Sequence, residues 1–300
     1  MHQHDHHSHD TSGGRALRGA LLLTLSFAAV EFVVGWWGGS LALMADAGHM
    51  LTDSTALGLA AIAAWFATRP ADERHSWGHG RAEIIAALVN GFAMVVLVGV
   101  IVYNAVQRFQ DPVEVRGMAV LVVAAIGLAV NLAVLRVLHG GQQNLNVRGA
   151  ILHVLGDLLG SVAALSSGVV ILMTGWTPID PILSLLICGL ILFAALQLLR
   201  SGLGVVMEQV PAALDIEEVR AAMQAVDDVV EIHDLHIWQI SSERVALSAH
   251  VVLTELERWP DLLERLDALL LDRFGIDHPT LQPEPVDGEG CNHANRHCHG

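Results

Sequence analysis

Six apolar stretches, near residues 17–38, 41–67, 82–107, 117–138, 150–174 and 181–200, leave this 300-residue chain few folds to choose from. Each is close to the roughly 20 residues that a helix needs to cross a bilayer. Inside lipid every backbone N–H and C=O must be satisfied within the protein, and helices do this residue by residue. With 53% hydrophobic and only 16% charged residues, the chain is too apolar for a soluble domain of its length. The expected fold class is therefore an α-helical polytopic membrane protein with six transmembrane helices, followed by a small α/β domain. The expected divisions are a His-rich tail (1–14), a membrane domain (15–207), the α/β domain (208–284) and a Cys/His-rich tail (285–300).

An even number of spans leaves both ends on one side. All 16 basic residues are Arg. Arg15, Arg18, Arg69, Arg74, Arg81, Arg136, Arg148 and Arg200 fall on the side of the termini, against Arg108 and Arg116 on the other. The positive-inside bias then puts both termini and the C-terminal domain in the cytoplasm. No cleavable signal peptide is expected, because MHQHDHHSHD is polar rather than a basic segment leading into an apolar core. Nineteen of the 31 acidic residues lie beyond residue 207, against six Arg there. Such acidity argues against a nucleic-acid partner and suits cations. Cys188, Cys291 and Cys298 are too few and too irregularly spaced for a disulfide framework.

Within this apolar chain a polar pattern occurs twice, as His49-Met-Leu-Thr-Asp53 and His153-Val-Leu-Gly-Asp157. Residues four apart share a helix face, so each copy presents an imidazole beside a carboxylate. Ionisable side chains in membrane helices are costly and mark ion paths or proton relays. Three spans plus three suggest an inverted repeat, with the motif on the middle helix of each half. Asp53 then lies roughly 18 Å from the outer face and Asp157 roughly 12 Å from the inner one, at 1.5 Å per residue. In a core about 30 Å thick those depths coincide. The four side chains are expected to meet near the midplane; the alternative is that each pair is a separate helix-packing hydrogen bond.

Two imidazoles and two carboxylates form a closed tetrahedral set of nitrogen and oxygen donors, which suits zinc at about 2.0–2.2 Å. Magnesium and calcium take six or more oxygens, and copper(I) takes sulfur. Cadmium and cobalt remain chemically related candidates. A closed set leaves no position for an activated water, so it is built to hold and release an ion rather than to hydrolyse a substrate. Protons compete for the same lone pairs, which couples metal loading to proton loss. Other intramembrane polar residues are read more plainly. Glu31, Asn90 and Asn131 are expected to make interhelical hydrogen bonds, Asp46 to orient the His49 imidazole, and Cys188 to pack as an apolar residue.

The stretches SLALMADAGHMLTDS, PADERHSWGHGRAE and NVRGAILHVLGDLLGS resemble the cation diffusion facilitator family, and the resemblance runs from about residue 16 to residue 284. It implies that His49, Asp53, His153 and Asp157 form the transported-metal site of a zinc-type member. It also implies a homodimer that exchanges a cytoplasmic divalent cation for protons by alternating access, in a bacterial inner (plasma) membrane. In the loop after span two, Asp72, His75 and His79 would share one side if the loop were helical, and the resemblance implies zinc binding there. The segment from Glu208 is expected to form a helix over 215–226, strands over 229–240 and 244–253, a helix over 260–274 and a strand over 280–284. That order resembles the family's metallochaperone-like, ferredoxin-like cytoplasmic domain, in which His233, His250 and Glu284 match metal positions. Glu284 stands where some members have Asp, and Pro283 and Pro285 are expected to interrupt the geometry there. His236 and His278 are further possible ligands. Zinc bound in this domain would regulate by drawing two acidic modules together.

Both tails, MHQHDHHSHD and GEGCNHANRHCHG, carry ligands without a defining spacing. Two other classes compete with a transporter that needs no cofactor. A membrane metallohydrolase would require an HExxH helix, a serine nucleophile or a vacant ligand position, none of which the sequence displays. A membrane-bound metal sensor would not need two charged pairs at the midplane.

Overall fold

The computed structural model describes residues 11–139, 145–241 and 244–286; within its helices, the side chains of 11–23, 57, 64, 137–139 and 145–155 are outside that description. The described residues divide into two compact units, those within 11–59 and 89–198, and those within 60–88 and 199–286. Six long helices lead the chain: α1 (Thr11–Gly38), α2 (Leu41–Ala67), α3 (Ala82–Gln110), α4 (Gly117–His139), α5 (Leu145–Thr174) and α6 (Ile179–Val206). Among the described residues five have membrane-spanning length and apolarity, and α1 contributes the shorter apolar run Thr24–Gly38. Over its whole 28 residues α1 is long enough to cross a core of about 30 Å. α5 begins five residues before the expected apolar edge and α6 continues six beyond it. Hydropathy marks where lipid ends, whereas a helix ends only where its backbone hydrogen bonds do.

α2 and α5 are the central helices of the first unit. One buried cluster joins Phe27 and Ala28 of α1, Leu43 and Met50 of α2, Val120 and Ala124 of α4, and Ala164 and Ile171 of α5. The other joins Ala45 of α2, Met94 and Val98 of α3, Ala163 of α5, and Ile187 and Cys188 of α6. Cys188 is thus a packing residue, as expected. Large apolar side chains such as Trp36, Phe92, Tyr103 and Phe193 are exposed instead. That inverts the soluble rule and presents an apolar coat to hydrocarbon.

The entry into α2 is fixed from a distance. Gly39 turns the chain at φ +72°, where a Cβ would lie 2.8 Å from the Glu114 carbonyl oxygen, so glycine is required. The Ser40 hydroxyl and the Leu41 N–H each donate to the Asp180 carboxylate at 2.6 Å, and the Ser167 hydroxyl donates at 3.2 Å. Arg108 pairs with the same carboxylate at 3.5 Å and donates to the Gly39 carbonyl. Asp180, wholly buried, therefore caps the N-terminus of α2 from the first turn of α6. Its only mark in the sequence is an acid at the edge of an apolar span.

The second unit contains α7 (Ile216–Gln224), β1 (Val229–Gln239), β2 (Val245–Leu253), α8 (Trp259–Phe274) and β3 (His278–Pro285). Asp215, expected as the first helical residue, is instead the cap of α7, accepting from the Glu217 N–H at 2.8 Å. The sheet order is β1-β2-β3, with β2 antiparallel to β1 and parallel to β3. Val219 and Met223 of α7 and Leu262, Leu266 and Leu270 of α8 cover one face, burying Ile232, Ile237, Leu247 and Val251. β3 is longer than expected, and its prolines do not interrupt it: pairing runs from Ala246 opposite His278 to Leu253 opposite Pro285. β3 lies at the sheet edge, and the Val286 N–H donates to the Leu253 carbonyl. By alternation, Pro279, Pro283 and Pro285 point their nitrogens away from β2, where no donor is needed.

Asp228 leads into β1 at φ +78° and accepts from Arg265 at 3.0 Å and Arg258 at 2.7 Å. The hydrogen bond from Arg265, together with the nearby Arg258 charge, holds its carboxyl below the usual range. A depressed acid stabilises the fold above its unfolded value of about 3.9, and that contribution is lost as pH falls through the folded value. Asp228→Asn, which tolerates the same backbone conformation, should lower the melting temperature at neutral pH and flatten its decline below about pH 4. Circular-dichroism melts across pH check this, and an unchanged acid slope counts against it.

Candidate metal centres

His49 and Asp53 lie one turn apart on α2, with His49 Nε2 3.4 Å from an Asp53 carboxylate oxygen. Asp157 on α5 brings its carboxylate oxygen to 3.9 Å from the same nitrogen. Donor atoms of the three all fall within 4.8 Å of one another. Asp157 of the second motif is therefore brought beside both residues of the first. His153 sits on α5 one turn before Asp157, but its side chain lies outside the described residues.

Around this cluster the helices are polar and close. Asn131 of α4 donates to the Ser161 hydroxyl at 3.2 Å, and Ser161 in turn donates to Asp46 at 3.5 Å. Asn131 thus makes its expected interhelical bond, and Asp46 is held by α5. Gly160 lies against the Asp46 carboxylate so tightly that any Cβ would collide with it. The adjacent small residues Gly160 and Ser161 were a readable sign of close helix contact, although the motif spacing does not include them. Glu31 differs from expectation. Its side chain is wholly buried against Gly127 of α4, and among the described residues neither carboxylate oxygen has a hydrogen-bond partner. A glycine at 127 lets α1 and α4 approach but offers no side-chain donor.

The loop after α2 also gathers its three residues, by a different device from the one expected. It is a turn, not a helix. The Asp72 carboxylate accepts from the backbone N–H groups of Arg74 at 2.8 Å and His75 at 2.7 Å, closing the turn on itself. These bonds, led by that from Arg74, hold the Asp72 carboxyl below its ordinary range. His75 Nδ1 lies 3.0 Å from Asp72, and the His75 and His79 rings are 4.4 Å apart. Donors from the three fall within 4.8 Å.

In the C-terminal domain each strand supplies one donor. His233 of β1 is directly opposite His250 of β2, and Glu284 of β3 reaches both. Its oxygens lie 2.6 Å from His250 Nδ1 and 3.1 Å from His233 Nε2. The glutamate carboxylate spans the pair because β3 remains a strand through Pro283. His278 is at the other end of β3, its ring edge-on to Trp77 at 4.8 Å, and does not join these donors. His236 pairs with Asp234 at 3.1 Å.

Three clusters of imidazole and carboxylate among the described residues, one of them between long apolar helices, bring together donors that could hold a metal cation. Residues 17–207 match the family model described as the cation efflux transmembrane domain, and residues 211–286 match that of the cation efflux protein, cytoplasmic domain. The zinc transporter ZitB of Escherichia coli is 40% identical over 299 residues, covering 97% of this chain and 95% of that protein. The metal cation efflux system protein CzcD of Cupriavidus metallidurans is 41% identical over 282 residues, covering 93% and 89%. The cadmium, cobalt and zinc/H(+)-K(+) antiporter of Bacillus velezensis is 36% identical over 298 residues, covering 96% and 94%. The chain belongs to the cation efflux, or cation diffusion facilitator, family. It is an integral membrane transporter, not an enzyme.

Proposed function

We propose that this protein exports zinc from the cytoplasm in exchange for protons, by alternating access around His49, Asp53, His153 and Asp157. The observation that carries this reading is the 3.9 Å approach of Asp157 on α5 to His49 on α2. It joins the two halves of the repeat at one donor set. Nitrogen with carboxylate favours zinc, and cadmium and cobalt are secondary cargo. The names of the relatives agree with this: zinc for one, cadmium, cobalt and zinc for another.

Competition at the donors supplies the coupling. Metal needs neutral imidazole and ionised carboxylate, so facing the more acidic side favours protonation and release, and facing the cytoplasm favours reloading. Export of two charges against the membrane potential costs about 2.3 kcal/mol per charge per 100 mV, which returning protons offset. The Arg distribution supports cytoplasmic termini, and the bacterial sources of the relatives agree with an inner (plasma) membrane. Asp72, His75 and His79 in the loop, and His233, His250 and Glu284 in the 208–284 domain, would hold regulatory zinc, the latter in a homodimer. The tails, 1–14 and 285–300, carry side chains of metal-ligand type, and residues 1–10 and 287–300 lie outside the described residues.

The deciding experiment uses purified protein in vesicles carrying a zinc dye and a pH dye. A zinc gradient should drive protons the opposite way, with no hydrolysed substrate present. Zinc flux without a pH change would overturn antiport, and flux of manganese but not zinc would overturn the cargo.

A further inference from the structure

β1 departs from a regular ladder twice, between Val229 and Glu231 and again between His233 and His236. His233 pairs with His250 and His236 with Ser248, so three steps along β1 match two along β2. That is a β-bulge. In an unbroken strand neighbouring side chains alternate between faces, yet Ile232, Leu235 and Ile237 turn into the core while both His233 and Asp234 stay outside it. The extra residue is Asp234, held at φ +51°, a conformation uncommon for any residue but glycine. The bulge thereby adds a carboxylate to the face that carries the metal donors.

That carboxylate is aimed. One Asp234 oxygen lies 3.8 Å from His250 Nε2, and the other lies 3.1 Å from His236 Nε2. His250 meets Glu284 with its other nitrogen, Nδ1, at 2.6 Å. The two faces of one imidazole are thus divided between the donor set and Asp234. A metal-ligating histidine characteristically gives its second ring N–H to a carboxylate, which fixes the tautomer and the ring orientation and raises ligand basicity.

We propose that Asp234 is a positioning residue for the metal centre of the cytoplasmic domain: its carboxylate, 3.8 Å from Nε2, favours the tautomer of His250 that carries the proton there and so turns Nδ1 to the ion, while His236 braces its second oxygen. This rests on the reading of His233, His250 and Glu284 as a zinc centre. Backbone strain at a bulge beside a functional site agrees with it, because such strain persists where the surrounding structure maintains it.

The test is zinc competition against a chromophoric chelator with the full-length protein, alongside zinc-free thermal melts. The zinc equivalent lost in His250→Ala defines the centre. Asp234→Gly suits φ +51° and so should melt without zinc at or above the wild-type temperature, yet bind that equivalent about 10–100-fold more weakly. Asp234→Asn keeps an acceptor oxygen and should recover part of the loss. Wild-type affinity in Asp234→Gly overturns the proposal. So does a zinc-free melting temperature that falls along with affinity, which makes the role structural. Loss of a separate zinc equivalent would make Asp234 a ligand in its own right. If His250→Ala loses no equivalent, the reading of the zinc centre fails first.

Discussion

Asp157→Ala is expected to abolish zinc-driven proton movement in reconstituted vesicles while leaving the protein folded. Asp157 is the described donor that α5 brings to His49, at 3.9 Å, and its side chain is only 6% exposed. Asp157→Ala removes one of the anionic donors that a bound ion needs, and the loss in metal affinity should be at least the roughly 10–100-fold that follows removal of an outer partner of a ligand. Asp53→Ala should act the same way from α2, because its carboxylate lies 3.4 Å from the same nitrogen. Helix propensity favours alanine at both positions, so the loss should appear in transport and zinc binding rather than in helix content. Retained zinc-proton exchange in Asp157→Ala would refute a site shared between the two helices.

Asp180→Ala should have the largest effect on stability in the membrane unit. It removes the acceptor for Ser40, Leu41 and Ser167, and the partner of Arg108, in one step. Asp180 is fully buried and Arg108 partly so, with side-chain exposures of 0% and 16%. Stranding a buried cation costs on the order of 3–5 kcal/mol, and each unmet donor adds more. The N-terminus of α2 would lose its cap, and with it the fixed start of the helix that carries His49 and Asp53. Asp180→Asn retains one oxygen acceptor and should fall between wild type and Asp180→Ala in thermal melts in detergent. Equal melting temperatures for all three would show that α2 is held by packing alone.

Much of this molecule can be read from local chemistry. Apolar length marks the spans, because a bilayer demands about 20 residues whatever surrounds them. Four-residue spacing puts His49 beside Asp53 because a helix repeats every 3.6 residues. Alternation and turns mark the strands of the C-terminal domain to within a few residues. Other features follow from long-range contact. Asp72 closes a turn that spacing alone presents equally well as a helix. Pro283 reads as a strand breaker until its place at the sheet edge is known. Glu31 reads as a hydrogen-bonding residue until α4 presents Gly127 to it.

What must lie in lipid, which residue types could hold a metal, and the existence of two matched pairs all follow from composition and from the periodicity of one helix. Only the tertiary structure decided that α5 carries Asp157 to His49, that Asp180 caps a helix 139 residues away in the chain, and that a bulge turns Asp234 toward His250. Each is a meeting of groups far apart in sequence or displaced from regular alternation. Their distance is set by how helices and strands pack, and no local pattern of residues records it.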